Sequence, residues 1–376
     1  MRICTTVLVL VASLAVSLGG QATRLSEGPL PVTGIDFSAV DQFWKVVDVL
    51  STDTEPSEEQ WRSLLATPGY RLAQSAVGEG MRENLEIAFR PSLRAARDSL
   101  LRLDSDRAFD LKHLIRAVRL RNQLVTYRDS LHASALIRNA VDSAARFLPP
   151  GATAVGQPPL VAFALFKDDG YSVGSGVVVD LLHAYESNLV LFLGHEFNHA
   201  YLARANTRPS HPVANAAENQ LLLALTGLRN EGIADQIDKP YPLVLPNPAL
   251  SVYVARYNAE YARTPATLHS LDSLLAAVSD DPTLMTAAGQ RARTLLWSNG
   301  HPNGAYIARE IYETFGVDSL FPAVTDPAAF LRTYAAAEAS HGRPAPFSPR
   351  ALRTIGLLER RYWHRPTSSV GNGRSP

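Results

Sequence analysis

Gly194-His195-Glu196-Phe197-Asn198-His199 decides how this chain is read. Two histidines stand four residues apart, with a glutamate directly after the first. On a helix, positions i and i+4 share a face, so both imidazoles can reach one metal ion. Glu196 falls on nearly the same side, within reach of a water on that ion. H-E-x-x-H is a pattern of zinc-dependent hydrolysis. Zinc suits imidazole and carboxylate donors in a tetrahedral site with one position open.

The flanking sequence supports a helix over residues 188–205. Leu189, Phe192, Leu193, Glu196, Phe197, Ala200 and Tyr201 recur near helical spacing, no proline interrupts, and Asn188 or Ser187 can cap the start. The segment is apolar nearly all round, so it is expected to be buried. Two imidazoles and a carboxylate in a buried helix need partners. The bland alternative is a pair of core histidines bonded to carbonyls.

A catalytic zinc needs a third protein ligand. The extended motif H-E-x-x-H-x-x-G-x-x-H is excluded, because Leu202 and Ala205 stand where its glycine and third histidine would be. Two glutamates remain. Glu218 lies nineteen positions after His199 (218 − 199), and Glu231 thirty-two (231 − 199). Glu231 is favoured because Asp235 follows one turn later on the same face, placed to accept a ring N–H from a ligating histidine. Gly232 and Ala234 are small enough to let this helix approach the first. Glu218 has Leu222 one turn on and reads as a helix-starting or solvated glutamate. An ordinary acidic face is the plainer account of Glu231 and Asp235.

His195-Glu196-x-x-His199 followed by Asn230-Glu231-Gly232-x-Ala234-Asp235 resembles the gluzincins, zinc metallopeptidases whose third ligand is a glutamate. The chain also resembles a secreted bacterial family of unknown function, described as zinc-dependent proteases. The specific part of the match covers about residues 160–316. The resemblance implies a zincin-like catalytic domain, a Glu231 ligand and an Asp235 beside the metal shell. It also implies a tyrosine or histidine on a later element that steadies the oxyanion. The separation between His199 and Glu231 is longer than the short aminopeptidase spacing, which bears on substrate class more than on metal binding.

That later element is expected at Trp297-Ser298-Asn299-Gly300-His301-Pro302-Asn303-Gly304-Ala305-Tyr306, a glycine-punctuated loop running into a helix. Tyr306 is the first candidate donor to the oxyanion and His301 the second. A helix start with Tyr306 in the core is the alternative. His113, His132 and His211 read as structural or surface residues.

The rest of the chain frames this site. Arg2, an apolar run from about Val7 to Leu18, and Gly20 and Ala22 read as a signal peptide over residues 1–22, cleaved after Ala22. No other stretch is long and apolar enough for a membrane span. Cys4 is the only cysteine and falls in that segment, so the mature protein is expected to hold no disulfide. Formal charge is zero with acids and arginines interspersed, which argues against nucleic acid as a partner. Hydrophobic residues make up 46% of the 376, enough for a large core.

Residues 23–36 read as a linker, 37–148 as a helical N-terminal domain, 149–364 as the zincin-like catalytic domain, and 365–376 as a disordered tail. Phe37, Val40, Phe43, Trp44, Val47 and Leu50 form a helical stripe. Pro56 is expected to open a second helix that Thr67-Pro68-Gly69 ends. Beyond Pro149-Pro150-Gly151 the period changes. Leu160–Phe166 reads as a strand, Lys167–Gly170 as a turn and Gly176–Asp180 as the returning strand. An extended peptide could pair with the open edge of such a sheet.

The expected protein is therefore mainly α with a small β-sheet. It is expected to be a secreted or periplasmic zinc metallopeptidase with one Zn2+ held by His195, His199 and Glu231. Glu196 is the general base, and a peptide or protein is the substrate. Two rival functions stand beside this one: a non-catalytic zinc-binding or interaction protein, and a zinc hydrolase of a non-peptide amide such as a cell-wall fragment. An intact Glu196 argues against the first, because structural zinc needs no base beside its ligand.

Overall fold

The structure is a computed structural model and describes residues 34–77, 80–154, 156–174, 176–205, 216–245 and 250–363. The expected signal peptide, most of the linker, His211 and the tail at 365–376 lie outside the described residues. The described chain is mainly α with one small four-stranded mixed sheet. None of its helices is long and apolar enough to cross a membrane. It divides into two compact units. One runs up to Arg204 and takes in Ile237–Val254; the other comprises Ala205–Gln236 and the chain from Ala255 on.

The first unit is built on the sheet. Its strands are β1 (Ile35–Asp36), β2 (Leu160–Ala164), β3 (Gly170–Val173) and β4 (Gly176–Asp180), in the order β1-β2-β4-β3. The expected hairpin is corrected here. β4 does return, but antiparallel to β3, and it lies parallel to β2 in the register Leu160↔Gly176 to Ala164↔Asp180. Burial explains the order. Every residue of β2 and β4 is buried, as continuous apolar runs require, whereas β3 is half-buried and takes the edge.

Helices cover this sheet from the N-terminal side of the sequence. Helix Ser38–Leu50 buries Val40, Phe43, Trp44, Val47 and Leu50, the stripe read from the sequence. Phe37 stacks on Phe163 of β2 at 4.8 Å between ring centres. Ser57 and Gln60 form a capping box that starts Glu58–Leu65. Pro68 does not only end that helix. It occupies the first turn of the next, Pro68–Val77, where its missing N–H costs nothing. From that helix Tyr70 donates its hydroxyl to the Leu165 carbonyl at 2.7 Å. Pro149–Gly151 lies within this unit.

Asp180, wholly buried at the end of β4, is the tie point. It accepts from the Phe166 N–H at 2.7 Å and the Leu182 N–H at 2.8 Å, and pairs with His113 Nε2 at 2.9 Å. His113 is thus a structural histidine, as the sequence suggests. Beside it, His183 Nδ1 pairs with Asp168 at 2.8 Å.

The second unit is helical. Ala216–Asp238 runs unbroken through Gly227, and its last two residues, Ile237 and Asp238, belong to the first unit. Thr264–Asp280 packs on Pro349–Leu358, and His301–Phe315 packs on Pro327–Ser340. Gly232 and Gly304 mark where helices Ala216–Asp238 and His301–Phe315 cross. A Cβ on Gly304 would lie 2.1 Å from the Leu228 carbonyl oxygen, and one on Gly232 would lie 2.4 Å from the Gly304 backbone. The close approach expected of Gly232 is to the H-E-x-x-H helix; the approach seen within this unit is to the later helix.

Two predictions follow from these contacts. Gly304→Ala must separate two backbones and should cost about 3 kcal/mol in a urea titration. For His113, burial pushes the imidazole pKa down, but the facing Asp180, with Asp168 and Asp110 nearby, outweighs burial and raises it. A raised histidine stabilises fully below its unfolded pKa and loses that contribution as pH climbs through the folded one. His113→Gln should then cost more at about pH 5.5 than at about pH 9, read from urea midpoints at both; equal losses would remove charge from the account.

Candidate metal centre

In the first unit the site is carried by helix Leu189–Ala205. Asn188 caps it, its Oδ1 accepting from the Leu191 N–H at 3.3 Å. Leu193, Phe197, Ala200 and Tyr201 are buried as expected, and so are His195 and Glu196. The i, i+4 spacing brings the imidazoles together, with His195 Nε2 and His199 Nε2 3.0 Å apart and the rings at 82°. Two ring nitrogens that converge in this way are disposed toward one shared ion.

The far side of the His195 ring is fixed as well. Its Nδ1 pairs with Asp238 Oδ1 at 2.8 Å, so Nδ1 keeps the proton and Nε2 presents its lone pair. Burial would push the Asp238 carboxyl pKa up. The neighbouring His195 and Lys239 outweigh that and hold it well below the usual carboxylate range. Gly194 makes the contact possible: a Cβ there would stand 2.8 Å from Ser143 Cβ and 3.1 Å from Ile237 Cγ2, the residue just before Asp238.

The second unit has a polar cluster of its own. Glu231 and Asp235 sit one turn apart on helix Ala216–Asp238. Asp235 is wholly buried. Its Oδ1 pairs with His301 Nδ1 at 2.9 Å and its Oδ2 accepts from the Tyr257 hydroxyl at 3.1 Å. His301 Nε2 then lies 3.3 Å from Glu231 Oε2. Asn299 donates from Nδ2 to Glu231 Oε1 at 2.8 Å. The glycine-punctuated loop and helix start therefore meet Glu231 and Asp235, through Asn299 and His301.

Glu218 has another role. It is buried and neither solvated nor presented to a ligand; Arg361 and the Tyr362 hydroxyl both bond its carboxylate. Tyr306 is likewise occupied elsewhere. It packs edge-on against Tyr261 and Tyr334, with Glu310, Glu338 and Arg343 around its hydroxyl. It is two residues beyond Gly304, about 200° round the helix, so it points away from the face that meets Glu231.

Two residues escaped the sequence reading. Asp238 performs on His195 the service expected of Asp235, while Asp235 in its own unit orients His301. The signal was present: Glu231, Asp235 and Asp238 fall at i, i+4 and i+7, one continuous face. Asn299 carried no signal beyond its place in a Ser-Asn-Gly turn.

An imidazole pair on an H-E-x-x-H helix, with a carboxylate behind one ring, is an arrangement of the kind that metal-dependent hydrolases use. Residues 61–341, more than half of the chain, match the model of the family DUF5700, described as "Putative zinc dependent peptidase". The chain belongs to that family. No curated protein and no solved structure matches it.

Removing the charge behind His195 should weaken its hold on a metal. Asp238→Asn is expected to lower zinc affinity by about 10–100-fold, measured by competition with a chromophoric chelator. Unchanged affinity would mean that the carboxylate does not tune the ring.

Proposed function

We propose that this protein is an exported zinc peptidase in which His195, His199 and Glu231 hold one zinc ion and Glu196 moves the proton. The observation that carries this reading is the pair of Nε2 atoms 3.0 Å apart, both on helix Leu189–Ala205, with His195 Nδ1 tied to Asp238. That separation is close to the roughly 3.3 Å between two nitrogens on a tetrahedral zinc.

Helix geometry supports Glu231 as the third ligand. Asp238 sits behind the His195 ring, and Glu231 lies seven residues earlier on the same unbroken helix. Seven residues rise about 10.5 Å, the order of length that a carboxylate, an imidazole, an ion and a second carboxylate span in line. The three side chains are a donor set of the kind that holds zinc. Glu218, committed to Arg361 and Tyr362, is not needed.

A zinc ion held by these residues would supply a Lewis acid for the scissile carbonyl and would lower the pKa of a water to about 7. Glu196 accepts that proton and passes it to the leaving amine. In its imidazolium form, between the Asp235 and Glu231 carboxylates, His301 keeps a proton on each ring nitrogen, so that with Nδ1 held by Asp235 it can donate from Nε2 to the oxyanion. It takes the role that the sequence offers first to Tyr306, whose hydroxyl is engaged with Arg343. The substrate class is a peptide. β3 is an edge strand, and a Cβ on its Gly170 would meet the Phe192 ring at 2.8 Å, so this edge runs beside the metal helix. A substrate strand pairing with it would lie near Glu196. Export rests on the N-terminal apolar segment, and zero net charge leaves no basis for a nucleic-acid substrate.

Glu196→Gln should keep one zinc per chain and lose about 10²–10⁴-fold in cleavage of an unfolded protein. Glu231→Ala should lose the metal, and Glu218→Ala should keep it. Zinc content by atomic absorption reads the last two. Full metal content in Glu231→Ala would sink the ligand assignment, and full activity in Glu196→Gln would sink the base.

A further inference from the structure

Asn299 is held in a conformation that a side chain-bearing residue rarely adopts. Ser298 and Asn299 have φ of 51° and 56°, and Gly300 follows at 89°. Two successive side chain-bearing residues at positive φ are costly, and such strain persists only where its surroundings enforce it. Here the turn drives the Asn299 amide between two charged groups. Oδ1 accepts from Arg293 Nη1 at 2.8 Å, and Nδ2 donates to Glu231 Oε1 at 2.8 Å. A guanidinium can only donate and a carboxylate can only accept, so the amide fits one way round. Gly227 leaves the room: a Cβ there would be 2.6 Å from Asn299 Oδ1 and 2.8 Å from its carbonyl oxygen.

We propose that Asn299, oriented by Arg293, is a positioning residue that decides which carboxylate oxygen of Glu231 meets the metal. This rests on the assignment of Glu231 as a zinc ligand. The amide N–H engages Oε1 and turns Oε2 toward the ion, on the side of His301. A carboxylate anchored at one oxygen binds through the other. That keeps the protein's contribution at three donor atoms and leaves a tetrahedral ion one open position. Without the anchor the carboxylate can swing until both oxygens bind. Bidentate carboxylates suit larger cations with more ligands, such as calcium. Asn299 is thus a device for zinc over larger divalent ions, and it touches neither substrate nor reacting atoms.

The test uses full-length protein loaded with Zn2+ or Co2+. Its variants are Asn299→Gly, Asn299→Asp, Arg293→Met and Glu231→Ala. Glycine adopts positive φ freely, so Asn299→Gly removes the amide without backbone cost. Zinc affinity is read by chelator competition, and coordination by the visible absorption of the cobalt form, which is intense for four ligands and weak for five. Asn299→Gly should bind zinc about 10–100-fold more weakly and give the weaker spectrum. Asn299→Asp sets one carboxylate against another and should lose more. Arg293→Met should shift both readouts in the same direction by less. Wild-type affinity and spectrum in Asn299→Gly and Asn299→Asp would overturn the proposal while leaving the ligand assignment standing. Full zinc content in Glu231→Ala would overturn the assignment itself, and this inference with it.

Discussion

An imidazole hydrogen-bonded to a carboxylate, both buried or half-buried, is the interaction on which this protein is built. Four histidines make such a bond at 2.8–2.9 Å among the described residues: His113 with Asp180, His183 with Asp168, His195 with Asp238 and His301 with Asp235. Each solves the same problem. A charge removed from water is expensive unless it is paired and hydrogen-bonded, and an imidazole needs its tautomer fixed before its second nitrogen can serve. The first two pairs spend that solution on architecture. Asp180 gathers a strand end, a helix cap and a packed helix around one carboxylate. The other two use the same bond to fix a ring, with Nε2 of His195 facing His199 and Nε2 of His301 facing Glu231.

The legible parts of the site were those set within one element. His195, Glu196 and His199 are fixed by the pitch of a single helix, so their mutual placement follows from sequence spacing alone. The preference for Glu231 over Glu218 also rests on a helical neighbour, Asp235, and Glu218 itself pairs with Arg361 and accepts from the Tyr362 hydroxyl. The stripe on Ser38–Leu50 was legible for the same reason.

What failed depended on pairings between elements distant in sequence. Alternation cannot say whether two apolar strands lie parallel or antiparallel, so β4 was read as the partner of β2 in a simple hairpin. Pro68 carried two meanings, an end and a start, and only packing chose the second. Asp235 and Asp238 share a face, and which histidine each serves depends on where two other helices cross. Tyr306 and His301 sit on one helix with their ranking decided by rotation. The Gly232–Gly304 contact turns the His301 face inward and leaves Tyr306 among Tyr261 and Tyr334.

That crossing also explains why small residues cluster where the acids are. A carboxylate is short, and a partner on a second helix reaches it only if the two backbones nearly touch. With ordinary side chains between them, helix axes stand about 8–10 Å apart, too far for His301 to reach both Asp235 and Glu231 in one direction. Gly232 and Gly304 remove the spacer, and Gly227 does the same for the Asn299 turn. The strained backbone at Ser298 and Asn299 is then supported on both sides, by Arg293 and by Glu231. Precision at Glu231 comes from backbone contact, and the glycines have to be counted with its surroundings as much as the charged residues do.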